Sequence, residues 1–101
     1  MTDVEKVELK RDMQKIADHY GWIHQLDKCT EELGELEEAI NLHIDSGCNG
    51  NETGINEEIA DVEIMTTQLK MLLHSENEVN KFKRFKVDRQ LKRIASEKVT
   101  L

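Results

Sequence analysis

The sequence predicts an all-α protein, and three observations carry that prediction. There is no proline in 101 residues, charged residues make up 35% of the chain and aromatic residues only 4%, and the apolar residues recur at helical spacing. A chain without proline has no strong helix breaker except its five glycines. One so poor in aromatic residues has little material for strands. The length suits a single domain, residues 1–101, with one modest core, which excludes a two-domain cofactor-binding enzyme.

Four stripes follow one another. Leu9, Met13, Ile16 and Tyr20 form the first, and Gly21 is its natural stop. Leu26, Cys29, Leu33, Leu36, Ile40 and Ile44 form the second, which runs into the only loop-like stretch, Asp45 to Gly54. The third is Ile55, Ile59, Val62, Met65 or Thr66, Leu69, Leu72 and Leu73, closed by a polar break from Ser75 to Asn77. The last and weakest, Val79, Phe82, Val87, Leu91 and Ile94, lies in a basic tail. Four helices with short connections predict an antiparallel four-helix bundle-like domain. A core this thin predicts a homo-oligomer, a dimer at least, in which helices of a partner complete the burial.

Charge is divided unevenly along the chain. Residues 1–78 hold 19 acidic and 6 basic side chains, and residues 79–101 hold 2 acidic and 8 basic ones, which together give the net charge of −7. The acidic body is a poor nucleic-acid surface, because such binding begins with phosphate neutralisation. The basic tail suits phosphates. No apolar run approaches the ~20 residues needed to span a bilayer. The N-terminus also lacks the profile of a signal peptide. These features predict a cytoplasmic protein that keeps Cys29 and Cys48 reduced. Cys29 reads as a small apolar residue and Cys48 as a loop residue; neither has zinc-type spacing.

Chemistry enters with the second and third helices. At 100° per residue, Glu32 lies within about 60° of both Cys29 and Leu36, on the rim of the apolar stripe. Glu58 is equally close to Ile55 and Val62. Glu35 and Asp61 sit one turn on, each with an apolar residue four positions later (Ala39 and Met65). Two inward-facing acidic pairs on neighbouring helices repel one another and are costly to bury. A divalent cation with a preference for hard oxygen ligands, Mg²⁺ or Mn²⁺, would offset that cost. An acidic bundle face without metal is the alternative reading of the same geometry. The loop after Asp45 imitates a calcium loop but has Gly47 and Glu52 at wrong positions, with Glu57 one residue late. No histidine follows a glutamate at the spacing that di-iron bundles use.

Glu32-x-x-Glu35, a gap of 22 residues and Glu58-x-x-Asp61 together resemble the signature of the MazG-like all-α nucleoside triphosphate pyrophosphohydrolases. The flanking stretches Lys28-Cys29-Thr30-Glu31-Glu32-Leu33-Gly34-Glu35-Leu36 and Glu57-Glu58-Ile59-Ala60-Asp61-Val62 share the resemblance. So does the basic segment from Lys86 to Ile94, and the likeness runs from about Gly21 to Ile94. It implies Mg²⁺-dependent cleavage of a (d)NTP between the α and β phosphates, giving the monophosphate and pyrophosphate, in a role such as nucleotide-pool house-cleaning. By position, Glu32, Glu35, Glu58 and Asp61 match the metal ligands, and Glu31 matches the acidic residue before them. Glu31 and Glu35 are both candidates for orienting or deprotonating the attacking water. The resemblance also implies active sites built within intertwined dimers or dimers of dimers, so that the chain is expected as a homodimer or homotetramer.

Lys86 and Arg89 share a face of the last helix and suit a triphosphate. Trp22 could stack on a base, and Gln25 could read its edge. Two other functions fit the same text: a pyrophosphohydrolase acting on phosphoribosyl-ATP, and a non-enzymatic helical interaction module whose basic tail binds a partner.

Overall fold

A computed structural model describes the backbone of residues 1–99. Thr100 and Leu101, at the end of the basic tail, and the side chains of Lys98 and Val99 lie outside the described part. The described residues are helical throughout, apart from the N-terminal pair and two short connections, and they include no strand. The helices are α1 (Asp3–Asp45), α2 (Glu52–Leu73) and α3 (Glu76–Val99).

The first helix starts at Thr2, whose hydroxyl accepts from the Glu5 backbone N–H at 3.1 Å as an N-cap. It is broken at Gly21, where φ is 83° and ψ is 174°, a region that only glycine enters cheaply. The glycine stop read from the sequence is therefore real, although no loop separates the two arms (residues 3–20 and 22–45). The break is a sharp one. The Gln68 amide bonds both the Met13 carbonyl and the Gln25 side chain. In an unbroken helix those two residues would stand about 18 Å apart along the axis.

The second arm packs antiparallel to α2: Gln25 meets Gln68, and at the other end the Asn51 amide donates to the Ala39 carbonyl at 3.1 Å. The first arm lies against the C-terminal part of α2, and Lys10 pairs with Glu76 at 3.7 Å. Between α1 and α2, residues 46–51 form a loop containing four positive-φ positions (Gly47, Cys48, Gly50 and Asn51). The His43 ring bonds the Gly50 carbonyl across it. Cys29 is buried, Cys48 is exposed in this loop, and neither forms a disulfide.

The core is small. Its fully buried apolar members are Ala17, Cys29, Ala39 and Met65, joined by the polar residues Gln25, Glu32 and Gln68. Much of the predicted apolar striping faces outward instead: Leu9, Ile16, Tyr20, Leu33, Ile40 and Ile44 are exposed in the single chain. The last helix does not join a bundle at all. Apart from the Lys10–Glu76 ion pair at its first residue, it meets α2 alone among the described residues, at their shared turn, and every residue from 80 to 97 is exposed. The physical reason lies in its pattern. At 100° per residue, Phe82 and Phe85 fall on one side of α3, and Val87, Leu91 and Ile94 on nearly the opposite side. Neither side makes a full stripe that one neighbour could cover. The radius of gyration is accordingly 17.3 Å, against about 13 Å for a compact chain of this length. No helix among the described residues is long and apolar enough to cross a membrane.

Candidate metal centre

Helical periodicity places four carboxylates at the seam between the second arm of α1 and α2. Glu32 and Glu35 rise from one helix and Glu58 and Asp61 from the other, and one oxygen of each lies within 4.8 Å of those of the other three. Glu32 is only 7% exposed, Glu58 is half-buried, and Glu35 opens to solvent. The inward orientation read from Cys29 and Leu36 is what the fold shows.

One cation addresses this cluster from its own helix. Lys28 Nζ lies 3.2 Å from Glu32 Oε1 and 3.5 Å from Glu31 Oε2. These contacts, the hydrogen bond to Glu32 first and the charge of Glu31 next, hold the lysine above its ordinary value. Glu31 is thereby turned toward Lys28 on the outer side of the helix. The repulsion left over falls on Glu35, whose carboxyl is pushed up chiefly by the charge of Glu32, then by a hydrogen bond to Glu32, burial, and the charges of Glu58 and Glu31.

Two oxygens remain unaccounted for: Glu32 Oε2 and Glu58 Oε2 are shielded from water and accept no hydrogen bond. Buried carboxylate oxygens are rarely left so, and each unpartnered one costs on the order of a few kcal/mol. The geometry fits a small divalent ion. Opposite oxygen ligands at about 2.1 Å from Mg²⁺ stand about 4.2 Å apart, close to the span of this quartet. Four hard, anionic donors select Mg²⁺ or Mn²⁺ over the softer transition metals.

The other predicted site residues are placed less favourably. Trp22 is half-buried just after the Gly21 break. Gln25 is 2% exposed, and its amide is engaged within the protein: Nε2 donates to Gln68 Oε1 at 2.7 Å and Oε1 faces His24 Nδ1 at 2.7 Å. It presents no edge to a base. Lys86 and Arg89 stand on the exposed part of α3, where the Arg89 guanidinium lies 5.7 Å from the centroid of the Phe85 ring. One chain does not bring them to the carboxylates.

Sequence reasoning missed Gln68, which is 1% exposed and bonds both arms of α1. A signal existed: Gln68 lies three residues after Met65 and seven after Asp61, a polar residue on the buried face of α2.

Fold and site together define a helical protein with four carboxylates gathered at a helix seam. No family model matches the chain, and neither does a curated protein or a solved structure.

Proposed function

We propose that this protein is a Mg²⁺-dependent nucleoside triphosphate pyrophosphohydrolase of the MazG-like kind, cleaving a (d)NTP to the (d)NMP and pyrophosphate. The observation that carries the proposal is the carboxylate quartet with its two orphaned, buried oxygens. Glu32, Glu35, Glu58 and Asp61 would hold Mg²⁺, with Mn²⁺ as a substitute. A bound metal supplies charge neutralisation for the triphosphate and a more acidic water.

The chain's own residues divide the remaining tasks. Glu32 and Glu58 are anchored in the seam and act as ligands. Glu35 opens to solvent, which suits it to meeting and orienting a water nucleophile. Glu31, held toward Lys28, is the second candidate for that role. Lys86 and Arg89 would bind phosphate oxygens, arginine through its planar fork. Because α3 stands away from its own quartet, they would reach the nucleotide of a second copy in a homodimer or homotetramer. The exposed apolar residues on α1 and α3 support such an assembly. Trp22 remains the candidate for stacking on the base.

The test is pyrophosphate release across a nucleotide panel that includes phosphoribosyl-ATP, with and without Mg²⁺. Metal-dependent release of pyrophosphate and monophosphate from a (d)NTP is expected. No turnover of any substrate would contradict the proposal. A second reading draws on the exposure of the basic helix: a non-enzymatic interaction module. It predicts no turnover and a salt-sensitive complex with an acidic macromolecule.

A further inference from the structure

We infer that Gln25 and Gln68 are positioning residues for the carboxylate quartet: a buried amide pair that fixes the register of α1 on α2. Their role as positioning residues rests on the metal-centre reading; the register itself does not.

Hydrogen-bond polarity makes the pair directional. The Met13 carbonyl can only accept, so Gln68 must present Nε2 to it, at 3.1 Å. That turns Gln68 Oε1 toward Gln25 Nε2, at 2.7 Å. It also turns Gln25 Oε1 toward His24 Nδ1, which therefore carries the hydrogen of their 2.7 Å contact. Each amide has one satisfied orientation, and both are almost wholly shut off from water. A polar pair of this kind discriminates between registers as apolar contact does not.

The pair and the quartet share one antiparallel alignment. Seven residues beyond Gln25 is Glu32, and seven before Gln68 is Asp61. Ten residues along, in the same directions, are Glu35 and Glu58, and fourteen along are Ala39 and Gly54. At that far end Asn51 holds the Ala39 carbonyl. The Asn51 side chain fills the space that a Cβ on Gly54 would need. The quartet is thus bracketed by two hydrogen-bonded clamps.

Between the two clamps, apolar contact adds little that is specific to one alignment. Its buried apolar residues are an alanine, a cysteine and a methionine, small or flexible side chains that specify a register weakly. The quartet itself resists assembly without metal, because its members are like charges. A slip of one turn would move each carboxylate about 5.4 Å along the axis, more than the 4.8 Å that now encloses all four donor oxygens.

The test is the double variant Gln25→Met/Gln68→Met, which removes both amides at similar volume, so that neither amide is left facing an apolar partner, and gives up only the side-chain bonds to the Met13 carbonyl and His24 Nδ1. Two readouts are needed. Mn²⁺ affinity, measured by titration, is expected to fall about ten- to a hundredfold, as when a residue orienting metal ligands is lost, while the thermal melt stays cooperative and no lower than that of the wild type. The metal-free register is read by the distance between nitroxide labels at the exposed positions Glu38 and Glu63. This uses a Cys48→Ser background and dilution with unlabelled chain. One narrow distance is expected in the otherwise wild-type protein, and a displaced or broadened one in the double variant. An unchanged distance, or undiminished Mn²⁺ affinity, would overturn the inference. If the double variant does not fold, Gln25→Met alone is measured, with the same displacement expected and the same result contradicting it. Should the wild-type chain bind no Mn²⁺, the metal reading fails, and the distances alone decide the register.

Discussion

In the second arm of α1, Glu32 is buried beside Cys29 and Leu36, whereas on α3 every side chain from 80 to 97 reaches solvent, Phe82 and Leu91 included. The two regions invert the usual distribution of charge and apolar surface. A carboxylate inside and phenylalanines outside are both unfavourable in an isolated chain. Two places in the isolated chain therefore carry an unfavourable contribution. The seam sets Lys28 alone against four carboxylates, and the exposed part of α3 lies on no neighbouring helix of its own chain. A divalent ion would answer the first need and a second copy of the chain the second. Helices with so little packing are marginal in water by propensity alone.

The largest expected effect breaks the acidic side of this comparison. Glu32→Gln or Asp61→Asn removes one hard anionic ligand at nearly constant volume. Either is expected to lower Mg²⁺-dependent kcat/KM at least about a hundredfold, measured by pyrophosphate release. In chelator the same variants should melt at or a few degrees above the wild type, because each relieves like-charge repulsion.

Next in size is the basic side. Arg89→Ala should raise KM for the triphosphate about tenfold, the value of a charge-assisted hydrogen bond, with little change in helix content by circular dichroism. Unchanged kinetics would return α3 to a merely solvated face. Light scattering sharpens the same point. The wild type is expected to scatter as at least two chains, and Leu91→Ser, on the exposed α3 surface, should lower that mass.

The smallest effect is a pH dependence. The Glu35 carboxyl is pushed above the ordinary 4.5, so the metal-free folded state binds this proton more tightly than the unfolded one. Stability therefore falls as pH rises from the ordinary value through the raised one. Glu35→Gln lacks that loss. Its melting advantage in chelator should be full at neutral pH and should vanish below the ordinary glutamate range.

How legible these features were in the sequence follows their range along the chain. Gly21 announced the break in α1, because a positive φ is a local demand. The inward set of Glu32, Glu35, Glu58 and Asp61 was legible because helical periodicity fixes which face a residue shares with its neighbours. Gln25 looked like a free polar residue, since its partner Gln68 lies 43 positions away and pairing across two helices leaves no local trace. The outward turn of Leu9, Ile16 and Tyr20 was equally hidden. A stripe shows that a helix has an apolar face, and the sharp break at Gly21 decides which face meets α2. For α3, charge and apolar residues were plain, but not that its apolar residues occupy opposite sides and leave it off the body.

Whether the quartet holds a divalent cation is read from the thermal melt of the wild-type protein with increasing Mn²⁺. A ligand that binds the folded state alone stabilises it with the logarithm of its concentration, by about 2.7 kcal/mol at a hundred times Kd. The account predicts a melting temperature that climbs through the micromolar-to-millimolar range in the wild type and stays flat in Glu32→Gln. A wild-type melt indifferent to Mn²⁺ and Mg²⁺, or an equal rise in both proteins, would contradict it.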